Sequence, residues 1–344
     1  MRRCAIIYYV KNAWVALSFF IFSIAHAVEL PSVITGKNEW LFTPLEFGKK
    51  SDSQDTLTSI QLFQKVNKLF ERKGIALVLV IVPSKIRIHA DQLPDNNLLD
   101  NYTADRYGNA FKLLQSDGLN VVNLNDIFLN SPHRTSDTPL FFRLDTHWSP
   151  AGAMLAAEAV KAAIVRSPVL NSAYAATNVE KYGVSWSTRK VNTSARDLVA
   201  LLPPDGKQIS PEQSLPFKVT RIKASQVGLF RVKPIQSGLL NAGDNIGITV
   251  IGSSYSNKNT GYPDALRFAL QRDLLDISIS VDQGAWVGME GYLRNDAFKT
   301  NKPKLIIWEI PERELRSPPN SKSRDARYYS DNTEWYSRIV ELLK

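Results

Sequence analysis

The sequence predicts an α/β protein, a three-layer sandwich built on a mainly parallel sheet and carrying a small β-rich insertion. Three observations lead there. Ile75–Val82 is a continuous apolar run, Ile248–Ile251 a β-branched one and Leu305–Ile310 a third strand candidate, the composition of strands in a buried sheet. Segments with apolar residues at helical spacing lie between them, and such alternation builds a parallel sheet covered by helices. From Ala175 to Ala242 helical periodicity fades and proline and serine punctuate the chain, which marks the insertion.

The elements follow in order. Arg2, Arg3 and Lys11 precede the apolar stretch Ala13–Ile24, which ends in Ala25-His26-Ala27. A basic flank, a short apolar core and a small-x-small end read as a signal peptide over 1–27, leaving one domain over 28–344. An uncleaved anchor over Ala5–Ile24 is the alternative, with Lys11 an uncomfortable member of it. The expected location is the periplasm, reached by export or faced from an inner-membrane anchor. Cleavage would remove Cys4, the only cysteine, and a thiol-free chain suits an oxidising compartment.

Thr56–Lys73 sets Leu57, Ile60, Phe63, Val66, Leu69 and Phe70 on one helical face and stops at Gly74, a C-cap residue. Ile75–Val82 follows as a strand closed by Pro83. Asp105–Gln115 reads as a helix and Leu119–Leu124 as a strand. Ser149-Pro150 has the form of an N-cap with proline at the first helical position, opening a helix over Ala151–Ile164. Within the insertion, Phe217–Ile222 and Val227–Val232 alternate like short strands. Ile248–Ile251 is a strand broken at Gly252-Ser253-Ser254. A helix over Pro263–Arg272, strands over Asp276–Val281 and Leu305–Ile310, and a helix over Glu334–Leu343 complete the chain.

Two short stretches carry the chemistry. In Leu144–Ala153 (LDTHWSPAGA), Asp145 and His147 are one residue apart, so an extended segment projects both to one side. A carboxylate on one imidazole nitrogen fixes the tautomer and leaves the other basic. In Val250–Ser256 (VIGSSYS), Ser254 stands at the carboxyl end of a strand, where open α/β sheets keep their reactive groups. Together they offer the acid, base and hydroxyl of acyl transfer. Each has a plainer reading: a structural Asp-His hydrogen bond, and a polar turn lacking the second glycine of G-x-S-x-G. The insertion, lying between the two stretches, is a candidate wall of the cleft.

Other classes fit poorly. Without His26 only three histidines remain, no pair is spaced H-x-x-x-H, and no metal or cofactor is expected. The net charge of +9 falls to about +6 without the leader, and no basic run interleaves with aromatics, so nucleic acid is not an expected partner.

Five motifs in order resemble those of the SGNH-hydrolase-like polysaccharide O-acetyltransferases typified by the alginate acetylation proteins AlgJ and AlgX. Gly36–Phe42 (GKNEWLF) resembles G-K-x-x-W-L-F, and Val82–Lys85 (VPSK) resembles V-P-x-K. Asp145–Trp148 (DTHW) resembles D-x-H-W, Gly252–Ser256 (GSSYS) resembles G-T-S-Y-S, and Trp308–Arg313 (WEIPER) resembles W-E-x-P-E-R. The resemblance, spanning roughly residues 33 to 316, implies an SGNH-hydrolase-like sandwich with Ser254 as nucleophile, His147 as general base and Asp145 as orienting carboxylate. Relative to ordinary SGNH hydrolases the acid and base precede the serine, and their spacing is one residue shorter.

The implied oxyanion hole would use the backbone N–H of Ser254 and that of Gly284, whose alternative role is a plain turn. No motif marks the asparagine that SGNH enzymes use as a third donor. Lys85 and Arg313 are candidate contacts to an acidic sugar, Arg313 alternatively bridging to Glu309 or Glu312. Trp148 and Tyr255 are candidate sugar-stacking residues or, alternatively, packing residues. The implied activity is a periplasmic O-acetyltransferase acting on an exopolysaccharide, alginate-like or other. Its implied partners are that acceptor polymer, a membrane-bound acyltransferase as acetyl relay, and other polysaccharide-secretion proteins. A carbohydrate acetylesterase using the same triad, or a non-catalytic exopolysaccharide-binding or assembly protein, are the alternatives. With no carbohydrate-binding domain after Lys344, an AlgJ-like role is the closer expectation.

Overall fold

The computed structural model describes residues 32–94, 99–222, 246–279 and 283–344. The expected signal peptide, the expected strand over Val227–Val232 and the end of the one expected over Asp276–Val281 lie outside these residues.

A small antiparallel pair, β1 (Ile34–Thr35) and β2 (Leu41–Phe42), comes first. Then follow α1 (Ser53–Arg72), β3 (Ala76–Val82), α2 (Lys85–Ile88), α3 (Asn101–Ser116), β4 (Asn120–Val122), α4 (Leu124–Leu129), α5 (Pro150–Arg166) and α6 (Pro168–Ala175). Short strands β5 (Tyr182–Trp186), β6 (Val191–Asn192), β7 (Gln213–Ser214) and β8 (Phe217–Arg221) occupy the next segment. The rest is β9 (Ile248–Gly252), α7 (Tyr262–Leu270), β10 (Leu275–Ser278), α8 (Gly284–Arg294), α9 (Asp296–Thr300), β11 (Leu305–Pro311) and α10 (Asn332–Leu342).

The central sheet runs β10-β9-β11-β3-β4 with every pairing parallel. Its inner strands β3 and β11 are buried at every residue, the reason β3 reads as an unbroken apolar run and β11 as one interrupted only by Glu309. Side chains alternate across the pleat. Val78, Val80 and Val82 face one core with Ala153, Ala157 and Val160 of α5 and Leu266 of α7. Leu77, Leu79 and Ile81 face the other with Phe63 of α1, Tyr107 of α3, Met289 of α8 and Trp335 of α10. The result is the expected three-layer α/β sandwich.

Helix α5 shows how local sequence sets position. Ser149 Oγ accepts the Gly152 N–H as N-cap and Pro150 occupies the first turn. A Cβ on Gly152 would come within 2.1 Å of the Leu140 carbonyl oxygen, so glycine lets the helix start close against the segment that precedes it. Residues Arg143–His147 lie between that contact at Leu140 and the helix start.

The insertion forms two antiparallel pairs outside the main sheet, β5 with β8 and β6 with β7. Between them Leu198, Val199 and Leu202 pack with Leu41 and Leu144, which brings the insertion onto the Asp-His loop. Helix α8 is absent from the sequence reading because Gly284, Gly288 and Gly291 weaken its propensity. Burial of Trp286, Met289, Tyr292 and Leu293 makes it helical, and Gly288 is required where a Cβ would lie 2.8 Å from the Ile279 side chain. Among the described residues no helix is long and apolar enough to cross a membrane.

Candidate active site

Strands β9 and β11 end side by side, and the turn after β9 carries Ser254. Its base is a buried carboxylate: Glu309 accepts the Ser253 N–H at 2.8 Å, the Ser253 hydroxyl at 2.9 Å and the Ser256 hydroxyl at 2.9 Å. Burial pushes the Glu309 carboxyl up to about 7. Gly252 is dictated by the same packing, since a Cβ there would lie 2.1 Å from Ser256 Oγ and 2.7 Å from Glu309 Oε2. Ser254 opens a single 3-10 turn, Ser254–Ser256, so its N–H belongs to the set with no acceptor inside the turn. Unlike its neighbours Ser253, Tyr255 and Ser256, Ser254 is not buried.

Across from it lies the loop Arg143–His147. Asp145 Oδ1 stands 2.7 Å from His147 Nδ1, and His147 Nε2 stands 2.8 Å from Ser254 Oγ. Asp145 Oδ1 also accepts the His147 N–H at 3.0 Å, and Oδ2 accepts the Asp197 N–H at 2.9 Å. Burial opposes ionisation of Asp145, but His147 and these amide donors outweigh it and hold the carboxyl below its ordinary range. A carboxylate so placed keeps the proton on Nδ1 and leaves Nε2 free to accept one from the serine hydroxyl.

The loop is secured by side chains from distant parts of the chain. Lys85 Nζ donates to the carbonyls of Leu41 at 2.6 Å, Arg143 at 3.0 Å and Asp145 at 2.9 Å. Glu212 accepts the amides of Arg143 and Leu144 at 2.9 and 3.1 Å. Asp197 accepts the Thr146 N–H at 2.8 Å and also its hydroxyl. Tyr255 donates its hydroxyl to the Thr146 carbonyl at 2.6 Å. Buried backbone groups require partners of this sort, and the loop gets them without being a helix or a strand.

These contacts correct part of the sequence reading. Lys85 is 1% exposed with its three donors engaged, so it is a clamp on the loop and has no donor left for a sugar. Burial lowers its ammonium to about 8. Trp148 is fully buried against Tyr255 and Tyr262, with ring centres 5.2 and 4.6 Å away, and cannot stack on a ligand. Tyr255 is equally buried, its ring 4.9 Å from that of His147, and serves the loop. Arg313 does not bridge to either expected acid. Glu309 is committed to the serine turn, and Glu312 to Arg87 and Arg106. Burial pushes Glu312 up, yet those two guanidiniums outweigh it and bring the carboxyl down to about 2. The Arg313 guanidinium is centred 6.0 Å from the Tyr255 ring, with Glu46 as an acidic neighbour.

Gly284 opens α8 with φ +78, and a Cβ there would strike the Arg324 guanidinium at 1.9 Å. Steric demand accounts for this glycine without an oxyanion role. Asp197 and Glu212 escaped the sequence reading, because an isolated acid carries no local mark of what it will hold, and Glu309 entered it only as a motif residue and a possible partner of Arg313.

Asp145, His147 and Asp197 present ligand atoms within 4.8 Å of one another, the group best able to hold a cation among the described residues. A cation there would compete with the Asp145–His147 hydrogen bond for Nδ1. A separate cavity of about 600 Å³, lined by Phe142, Pro150, Met154, Trp186, Leu215 and Phe268 among others, includes none of the three triad residues.

Comparison with known proteins places this geometry. Residues 33–312 match the family described as SGNH hydrolase-like domain, acetyltransferase AlgX. The chain is 29% identical over 311 residues to a probable alginate O-acetylase AlgJ of Pseudomonas syringae pv. tomato, across 88% of this chain and 73% of that one. With the corresponding Pseudomonas aeruginosa protein it is 28% identical over 330 residues, across 92% of this chain and 77% of that one. The fold is shared with the O-acetyltransferase domain of Pseudomonas putida AlgJ, with TM-score 0.69 and 23% identity over 91% of this chain and 99% of the other. Pseudomonas aeruginosa AlgX superposes with TM-score 0.66 at 17% identity, over 90% of this chain and 66% of that one.

Proposed function

Since the chain belongs to the SGNH hydrolase-like acetyltransferase family of AlgX, we propose that it moves an acetyl group through an ester on Ser254 onto hydroxyls of an alginate-like exopolysaccharide. The observation that carries this is the unbroken relay from Asp145 to His147 to Ser254, at 2.7 and 2.8 Å. Two relatives named as alginate O-acetylases support the polymer class.

In the first half-reaction Ser254 Oγ attacks the acetyl carbonyl of a donor while His147 Nε2 takes the hydroxyl proton. The tetrahedral oxyanion lies where the Ser254 N–H can donate to it. Collapse breaks the bond to the donor's leaving group, which receives the proton from His147. In the second half-reaction a sugar hydroxyl attacks the acetyl-Ser254 carbonyl, again losing its proton to Nε2. Collapse then frees the Ser254 oxygen, which recovers that proton, and the acetyl group stays on the sugar. Asp145 stays ionised throughout and stabilises the imidazolium.

The work is assigned to the periplasm, with the acetyl group delivered by a membrane-bound acyltransferase, alongside other polysaccharide-secretion proteins. Arg313 is the remaining sequence candidate for an acceptor carboxylate. Incubation with an isotopically labelled chromogenic acetyl ester and an oligouronate tests the reading. A mass shift of one acetyl group on Ser254, followed by label on the sugar, is expected. Label appearing only as free acetate, at a rate indifferent to sugar, would make the protein an esterase instead.

A further inference from the structure

Away from the triad, α8, the first half of α10 and the segment after β11 enclose a cavity of about 290 Å³, at the small end of ligand-binding pockets. Its lining includes Arg294, Arg327 and Arg338 against a single acid, Glu290. Trp286 and Trp335 form its base and Tyr328 and Tyr329 part of its wall.

The guanidiniums of this cup have donors to spare. Arg294 and Arg338 converge on Glu290, at 2.7 and 2.8 Å. Their bonds use Nε and Nη2 alone: Arg294 to Glu290, Arg338 to Glu290 and to Ser330 Oγ. Nη1 of each thus engages no acceptor among the described residues. Glu334 acts on Arg338 from outside the lining, so what the cup offers is the unengaged guanidinium N–H edges, the fork that recognises a carboxylate. Arg327 adds a third cation, lying 5.3 Å from the Tyr328 ring centre and paired with Asp325. Tyr329 is half-exposed and offers an aromatic face to a sugar ring. Partly exposed ion pairs of this sort are weak, so a ligand carboxylate can share their donors at little cost.

The position is also suggestive of a polymer. Helix α8 begins after β10 at the carboxyl end of the sheet, the end at which Ser254 stands, and carries the cup ten residues on to Arg294, about 15 Å along its axis, a distance that several sugar residues of one chain can span. We propose that this cup is an auxiliary subsite for a carboxylated sugar residue, which tethers an acidic polysaccharide while another part of the chain reaches Ser254. The polysaccharide half of the proposal rests on the reading of the active site given above.

The test is titration of the Ser254→Ala protein with a defined oligouronate and with a neutral glucan of equal length. Oligouronate binding that weakens as salt rises is expected, with little binding of the glucan. Arg294→Gln should weaken the oligouronate about tenfold through loss of one charge-assisted contact. Tyr329→Ala should weaken it about threefold through loss of stacking area, and both variants should keep the parent's melting temperature. Equal affinity in parent and variants, equal affinity for the two oligomers, or no binding at millimolar concentration would each overturn the subsite. Acetylation of Ser254 in the unaltered protein is measured separately. Its absence would sink the transferase reading while leaving the binding result to stand or fall alone.

Discussion

The serine turn and the Asp-His loop face each other across 2.8 Å, yet they are built in opposite ways. The turn is an extension of the sheet. Gly252 ends β9, Glu309 lies in β11 beside it, and one buried carboxylate gathers three donors from Ser253 and Ser256. The loop has no such parent element. Lys85 from beyond β3, Asp197 and Glu212 from the insertion and Tyr255 from the opposite turn hold its backbone group by group. Ser254 thus inherits its precision from the parallel sheet, whereas His147 owes its position to four side chains contributed from remote sequence.

The largest effects should come from breaking the relay that joins the two regions. Ser254→Ala or His147→Ala should lower kcat by roughly a million-fold, and Asp145→Asn by about ten thousand-fold through the wrong imidazole tautomer, judged from hydrolases with the same relay. Steady-state transfer to an oligosaccharide, with melting curves to establish folding, measures this. A loss of less than tenfold for Ser254→Ala would remove the nucleophile from Ser254.

The clamp on the loop comes next. Lys85→Met strands three carbonyls in a buried place, so melting should fall by roughly 5 °C or more and activity with it. Lys85 also sets a pH limit. Its folded value, about 8, lies below the ordinary 10.5, so the fold carries the cost of a buried ammonium below pH 8 and is relieved of it as pH rises. The neutral amine has only two N–H groups for three carbonyls. Global stability should therefore improve slightly above pH 8 while the loop loosens and kcat declines. A pH–rate profile set beside melting data would show the two trends diverging, and parallel trends would refute the assignment.

Smaller again is Asp197→Ala, which frees the Thr146 amide and hydroxyl and removes a carboxylate 3.8 Å from His147 Nδ1. A loss of roughly tenfold in kcat with little change in KM is expected, since the group touches the base and not the acceptor. A change confined to KM would instead make the insertion a binding wall only.

The smallest effect belongs to the serine turn. Burial raises Glu309 from its ordinary 4.5 to about 7, so its stabilising share is complete below pH 4.5 and is lost as pH rises through 7. Glu309→Gln should flatten the dependence of melting temperature on pH in that window, by an amount on the order of 3 kcal/mol at most. An unchanged slope would mean that the carboxyl is ionised throughout and is simply satisfied by its three donors.

Particular residues mark how far the sequence could be read. The apolar runs of β3, β9 and β11, the capped start of α5 and the glycine stop of α1 are local signals, and each element formed within a few residues of its expected place. The meeting of Asp145, His147 and Ser254 was legible as well, because Asp-x-His and a serine ending a buried strand are short-range patterns. Helix α8 was not, since Gly284 and Gly288 answer to packing against Arg324 and Ile279 and not to propensity. Nor were the roles of the motif residues beside the triad. Lys85, Trp148 and Tyr255 have the chemistry of sugar contacts, and only their burial assigns them to the scaffold.

What the sequence determined alone was the main strands and helices of the sheet and the side chains Asp145, His147 and Ser254 that the fold brings together, because hydrophobic period, capping and neighbouring side chains act over a few residues. The tertiary structure decided which acids and cations hold the backbone in place and which remain open to solvent. That choice depends on the depth of each charge and on the donors that reach it from afar, and neither is written at any single position of the chain.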